Sequence, residues 1–279
     1  MSERSEDEIR QEVRSHYASV ACGASGCCAP GGGCGPKPEA SLALGYGVDE
    51  LAAVPDGANL GLGCGNPQAI ASLREGETVL DLGSGAGFDC FLAARQVGPT
   101  GKVIGVDMTP EMIAKARANA AKVGAANVEF RLGEIERLPV ADGTVDVILS
   151  NCVVNLSPDK AAVFREAARV LKPGGRIAIA DVLATSPLPD ALRREIGLLA
   201  GCVAGAATVD EVAAMLRAAG LTAVNVQVRP ESRAFIREWF PGTGAEDYVA
   251  SATIEAVRPR AKSCCAPGCC APGAEGGAS

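Results

Sequence analysis

The chain has 279 residues, enough for one large domain with appendages or two modest ones, and its net charge of −7 argues against nucleic acid or an anionic membrane as its main partner. No stretch reaches the roughly 20 apolar residues of a membrane span, and the charged start from Met1 to Tyr17 has no apolar signal-peptide core, so a cytoplasmic protein is expected. A single histidine, His16, stands against twelve cysteines, which excludes a multi-histidine zinc site and makes soft sulfur the characteristic donor.

In chain order, residues 1–60 are a polar segment with Cys22, Cys27, Cys28 and Cys34 set among Gly and Pro. The first strand runs through Glu77 to Gly83, followed by a helix to Gln96. Lys102–Asp107 is a second strand, and Thr109 with Pro110 starts a helix to Val123. Val128–Leu132 and Val145–Ser150 are strands three and four, a helix spans about Ser157–Leu171, Lys172–Gly175 is a turn, and Arg176–Val182 is strand five. The uncharged run Ile196–Val209 reads as a buried helix. Asp210–Gly220 is a helix, and Ala223–Val228 and Tyr248–Val257 are strands. Residues 261–279 form a cysteine-rich, flexible tail, and Cys-Cys-Ala-Pro occurs three times, starting at Cys27, Cys264 and Cys269. Strands alternating with helices predict an α/β fold with a doubly wound, Rossmann-like sheet. The expected division is a ligand-binding domain over 61–183 and a smaller substrate-binding, sheet-completing region over 184–260.

The loop Asp81-Leu-Gly83-Ser-Gly85-Ala-Gly87 follows the first strand and opens a helix, where glycines let backbone approach a ligand at the carboxyl edge of the sheet. Its G-x-G-x-G spacing is not the dinucleotide G-x-G-x-x-G. Asp107 ends strand two, where a carboxylate can accept hydrogen bonds from both hydroxyls of a ribose. Three single cysteines fall near the same edge: Cys64 in Gly-Leu-Gly-Cys-Gly-Asn-Pro, Cys152 in Ser-Asn-Cys-Val-Val-Asn-Leu, and Cys202 in Gly-Cys-Val-Ala-Gly-Ala. Cys90, inside the helix after the glycine loop, reads as structural. Trp239 and Phe240 read as core.

Over about residues 60–260 these elements resemble the class I S-adenosylmethionine-dependent methyltransferases. The resemblance implies S-adenosylmethionine as cofactor, held by Asp81, Gly83, Gly85, Asp107, Met108, Glu134, Ile135 and Asn151. The three cysteine motifs resemble those of the arsenite methyltransferases. That implies Cys64, Cys152 and Cys202 as the thiols that hold trivalent arsenic, with a fourth cysteine near the N-terminus, for which Cys28 is favoured over Cys22, Cys27 and Cys34.

The chemistry suits the residue types. Trivalent arsenic is soft, with three bonding positions and one lone pair, and sulfur is its matching donor. The lone pair carries no proton, so attack on a methyl group needs no general base, in keeping with the lack of a core histidine. Arsenite and methylarsenite are the expected substrates, and an external thiol of the glutathione or thioredoxin type is the expected reductant. A monomer is expected. Two alternatives share parts of the pattern: a C- or O-methyltransferase of a small metabolite such as a quinone precursor, and a thiophilic metal-binding protein on a methyltransferase scaffold.

Overall fold

The computed structural model describes residues 5–22, 40–194 and 202–260. Cys27, Cys28, Cys34, the four tail cysteines and the first part of the run 196–209 lie outside them.

Seven strands form one mixed sheet: β1 (Thr78–Leu82), β2 (Lys102–Asp107), β3 (Val128–Leu132), β4 (Val145–Asn151), β5 (Leu171–Ala184), β6 (Thr222–Arg229) and β7 (Val249–Val257). Their order is β3-β2-β1-β4-β5-β7-β6, with β1 to β5 parallel and β7 antiparallel to both neighbours. The order reverses between β1 and β4, which opens a crevice beyond their carboxyl ends.

Helices α5 (Phe88–Val97) and α6 (Pro110–Val123) cover one face, packing Cys90, Phe91 and Ile113 on Val79, Val103 and Val147. Helices α7 (Lys160–Val170) and α9 (Val209–Ala218) cover the other, packing Phe164 and Leu216 on Leu80, Ile148 and Ile177. Neighbouring residues of one strand thus face two cores, which is why these strands read as continuous apolar runs. Strands β6 and β7 complete this same sheet.

Three expectations change. The Lys172–Gly175 turn instead lies within β5, as an irregular stretch with Gly174 at φ 88°: Gly174 N donates to Arg258 O and Arg258 N to Gly175 O, both at 2.8 Å, so the chain after β7 pairs with it. The described end of the expected buried helix, from Cys202 to Ala207, forms turns, because Cys202 is left-handed (φ 64°) and Gly205 presses on the Asn155 carbonyl. The polar N-terminal segment contains α1 (Glu6–Ala21), started by a capping box in which Glu8 N donates to Ser5 Oγ and Ser5 N to Glu8 Oε2. Its Ile9, Val13 and Tyr17 form an i, i+4, i+8 stripe against the same apolar cluster as Cys64, Cys152 and Cys202.

Candidate active site

A cleft of about 1090 Å³, its open mouth included, lies beyond the ends of β1, β2 and β4. Gly83 and Gly85 form its floor with Asp81 below, Asp107 and Met108 stand at the end of β2, and Ile135, Asn151 and Cys152 close the far side. Val13 and Tyr17 of α1 cover it. Glu134 is not among the lining residues; it pairs with Arg14 at 3.3 Å and Arg10 at 4.0 Å on α1, while its neighbour Glu136 reaches the cleft.

Asp107 is fixed by backbone. Gly85 N donates to one carboxylate oxygen at 2.9 Å and Thr109 N to the other at 2.8 Å, so strand two and the glycine loop are tied by one side chain. Burial pushes its carboxyl up, and these backbone bonds oppose that. Thr109 does precede α6, yet its own side chain makes no capping bond; Asp107 accepts the amide instead.

Asp81 is buried, and burial pushes its carboxyl well up. It accepts the Cys90 thiol at 3.3 Å, and Cys90 packs in the buried core beside the sheet. Beside it lies a buried acid that sequence reasoning passed over, Asp89. It accepts from Tyr46 at 2.7 Å, Gln68 at 3.3 Å and Asn151 at 3.3 Å. An Asp two residues after the glycine loop was the available signal.

Two features of the cleft suit a ligand such as S-adenosylmethionine. Ser84 Oγ is buried with no hydrogen-bond partner, and the space where a side chain on Gly85 would project is open.

At the far end Cys152 lines the cleft, and Cys64 and Cys202, which are not among the lining residues, are buried with it in one cluster. Cys64 sits on a loop pressed against β4 and β5. A side chain on Gly63 would strike Asn151 and one on Gly65 would strike Ala180, so the Gly-Cys-Gly pattern is the condition for this close approach. The loop is anchored by Cys64 N to Asn151 Oδ1 at 3.0 Å and by Ser251 Oγ to Cys64 O at 2.7 Å. Cys152 follows β4 in the left-handed region (φ 59°), its N–H bound to Ala180 O at 2.8 Å. The Cys202 thiol donates to the Cys152 carbonyl at 2.8 Å. All three are buried free thiols.

The ligand atoms of Cys64, Cys152 and Asp181 lie within 4.8 Å of one another. Cys202 borders this trio through Cys152. Asp181, which the sequence reading left inside strand five, accepts from Val182 N at 2.8 Å and from Asn155 Nδ2 at 3.0 Å. Its only signal was a charge near the carboxyl end of an otherwise apolar strand. Burial pushes it up to about 6. Burial also pushes the Cys64 thiol up to about 11 and that of Cys152 well above its ordinary value; Cys202 is raised first by its contact with Cys152 and then by burial. At neutral pH the three are therefore protonated thiols. Trp239 and Phe240 pack partly buried against this cluster, as core side chains.

Comparison with known proteins gives the family. A family model described as a methyltransferase domain matches residues 73–220. An arsenite methyltransferase of Halobacterium salinarum is 55% identical over 269 residues, covering 93% of this chain and 69% of that protein. The chain belongs to the arsenite methyltransferase family. A second arsenite methyltransferase, from Aquipseudomonas alcaligenes, is 48% identical over 167 residues, and that match spans 57% of this chain and about half (48%) of its relative. Among solved structures, an arsenic(III) S-adenosylmethionine methyltransferase from Chlamydomonas reinhardtii superposes with a TM-score of 0.58 at 32% identity, covering 82% of this chain and 75% of that one. The fold is thus that of a family of S-adenosylmethionine-dependent enzymes. No helix among the described residues is long and apolar enough to cross a membrane.

Proposed function

We propose that this chain methylates trivalent arsenic held by Cys64, Cys152 and Cys202, with Asp107 and the glycine loop holding S-adenosylmethionine. The observation that carries the reading is one continuous cleft with Asp107 at one end and Cys152 in its wall at the other. When bound, S-adenosylmethionine supplies a methyl group on a positively charged sulfur, an electrophile for the arsenic lone pair.

Loading uses the thiols as they stand. For each exchange an S–H bond and an As–OH bond become an As–S bond and water, so the proton of a neutral thiol leaves with the hydroxyl. Raised thiol values therefore suit arsenite, and no base is required. Cys202 must leave the Cys152 carbonyl to complete three sulfur ligands. Asp107 fixes the ribose, and Val13 and Tyr17 exclude water above the transfer point; positioning of this kind can supply roughly 7–11 kcal/mol. After transfer, two thiols return an electron pair to arsenic and leave as a disulfide, which an external thiol of the glutathione or thioredoxin type reduces. Cys28, outside the described residues, is the proposed fourth thiol. A cytoplasmic, monomeric enzyme acting on arsenite and methylarsenite, divided at residues 60/61, 183/184 and 260/261, completes the reading.

The test is purified protein with methyl-labelled S-adenosylmethionine and a thiol reductant, with and without arsenite. Label in methylated arsenicals is expected. Label transferred only to an organic acceptor overturns the reading in favour of a metabolite methyltransferase.

A further inference from the structure

Arsenic uses three sulfurs, yet the donors that lie within 4.8 Å of one another in the cluster are two sulfurs and a carboxylate oxygen, from Cys64, Cys152 and Asp181. All three residues are buried, with Asp181 only 1% exposed. A carboxylate is a poor partner for a soft trivalent centre but an ordinary one for a borderline divalent cation that also accepts thiolate, such as Zn²⁺ or its softer analogue Cd²⁺. Those cations take four ligands in a tetrahedron, where trivalent arsenic takes three in a pyramid. Cys202, whose thiol donates to the Cys152 carbonyl, is a further sulfur beside the trio.

The charges also match. Two thiolates and one carboxylate carry three negative charges; the cation supplies two positive charges. Lys160, half-buried and close enough to interact electrostatically with Asp181 and Cys202, supplies one more. A buried group of charges that sums to zero avoids the desolvation penalty of an unpaired ion. Asn155, which donates to Asp181 through its side-chain amide, holds the carboxylate in place as a metal's outer partners do.

We propose that Cys64, Cys152 and Asp181 form a binding site for a thiophilic divalent cation of the zinc and cadmium class, with Asp181 the donor that distinguishes this ion from arsenic. On binding, two S–Cd bonds form and the two thiol protons pass to solvent. The ion and arsenite are then mutually exclusive, so divalent cations of this class act as competitive inhibitors at the arsenic site.

The experiment titrates cadmium chloride alone, without arsenite or cofactor, into the full-length reduced chain in which the eight cysteines of the two low-complexity patches are serine. Sulfur-to-cadmium charge-transfer absorbance gives affinity, and cadmium-113 resonance or X-ray absorption gives the donor set. One cadmium per chain is expected, bound by mixed sulfur and oxygen. Asp181→Asn is expected to weaken cadmium at least about tenfold while changing arsenite affinity less than about threefold. An all-sulfur donor set, or equal losses for both ligands, overturns the proposal. Should Asp181→Asn not fold, the donor set of the chain that keeps Asp181 still decides. Because cadmium binding is read without turnover, its failure is separable from failure of the methylation reading.

Discussion

The two ends of the cleft make their sharp turns in opposite ways. At the cofactor end the left-handed positions are glycines: Gly83 (φ 67°), Gly85 (φ 51°) and Gly87 (φ 96°). At the sulfur end they are cysteines: Cys152 (φ 59°) and Cys202 (φ 64°), which together are half of the positive-φ non-glycine residues described. A glycine adopts that conformation without steric cost, whereas another L-residue loses roughly 1–2 kcal/mol in it. The cofactor end is therefore relaxed, and the sulfur end holds strain where a side chain is indispensable. Strain of this kind gathers at functional positions because the surrounding structure enforces it. Here β5 does so, through Ala180 O on the Cys152 amide.

That contrast ranks the expected effects of substitution. The largest belong to the sulfur end. Cys152→Ser and Cys202→Ser are expected to abolish methylation of both arsenite and monomethylarsenite. Cys64→Ser is expected to spare the monomethylated substrate, which needs fewer sulfur ligands. Single variants assayed on both substrates under excess thiol provide the check. Full activity of Cys152→Ser on either substrate removes the arsenic site.

At the cofactor end, Asp107→Ala removes the acceptor proposed for two ribose hydroxyls. Hydrogen bonds to a charged group contribute about 1.5–3 kcal/mol each, so calorimetry should show at least a tenfold loss of S-adenosylmethionine affinity. The variant also releases the amides of Gly85 and Thr109, so some stability goes with it. Arsenite affinity should hold. If it falls in parallel, the two ends are one rigid unit and the comparison fails.

Legibility in the sequence follows the same divide. The cofactor end is made by local rules. An apolar run ending in Asp gave β2 as Lys102–Asp107, and Thr-Pro gave α6 as Pro110–Val123, residue for residue. Where distant chain intervenes, local reading fails: Arg258, just after β7, pairs with Gly174 and Gly175 and draws Lys172–Gly175 into β5, and Asn155 shapes the turn after Cys202. Helix α1 was legible through Ser5, Glu8 and the Ile9–Val13–Tyr17 stripe, but the density of charge masked it. At the sulfur end the residue types were legible and the geometry was not. Nothing local announces a left-handed Cys152, or that Asp181 meets two thiols across the sheet edge.

Asp181 gives a smaller effect with a definite sign. Its carboxyl, at 3.8 when free, is pushed up to about 6 in the folded chain. A carboxyl raised on folding favours the folded state most below its free value, and that contribution is lost as pH rises through the folded value. The difference in stability between the natural chain and Asp181→Asn should therefore shift against the natural chain between pH 4 and 6, by on the order of 3 kcal/mol. Chemical denaturation of both across that range measures it. A flat difference means that Asp181 has a normal value and that the sulfur end is less enclosed than described.

The smallest effect tests the strain itself. Cys152→Ala removes the sulfur but keeps Cβ in the left-handed conformation; Cys152→Gly removes both. Relief of roughly 1–2 kcal/mol of left-handed strain, set against the extra freedom of glycine in the unfolded chain, about 0.5–1 kcal/mol, leaves Cys152→Gly more stable than Cys152→Ala by about 0.5–1 kcal/mol. The mirror experiment at the other end is Gly83→Ala, where the new Cβ would strike Val153 in a conformation that already disfavours it. That variant should lose stability. Paired denaturation curves give both numbers with opposite signs. If alanine at 152 proves as stable as glycine, the left-handed turn there is not enforced by β5. The sulfur end would then be relaxed like the cofactor end, and strain would have no part in holding the Cys152 thiol toward its neighbours.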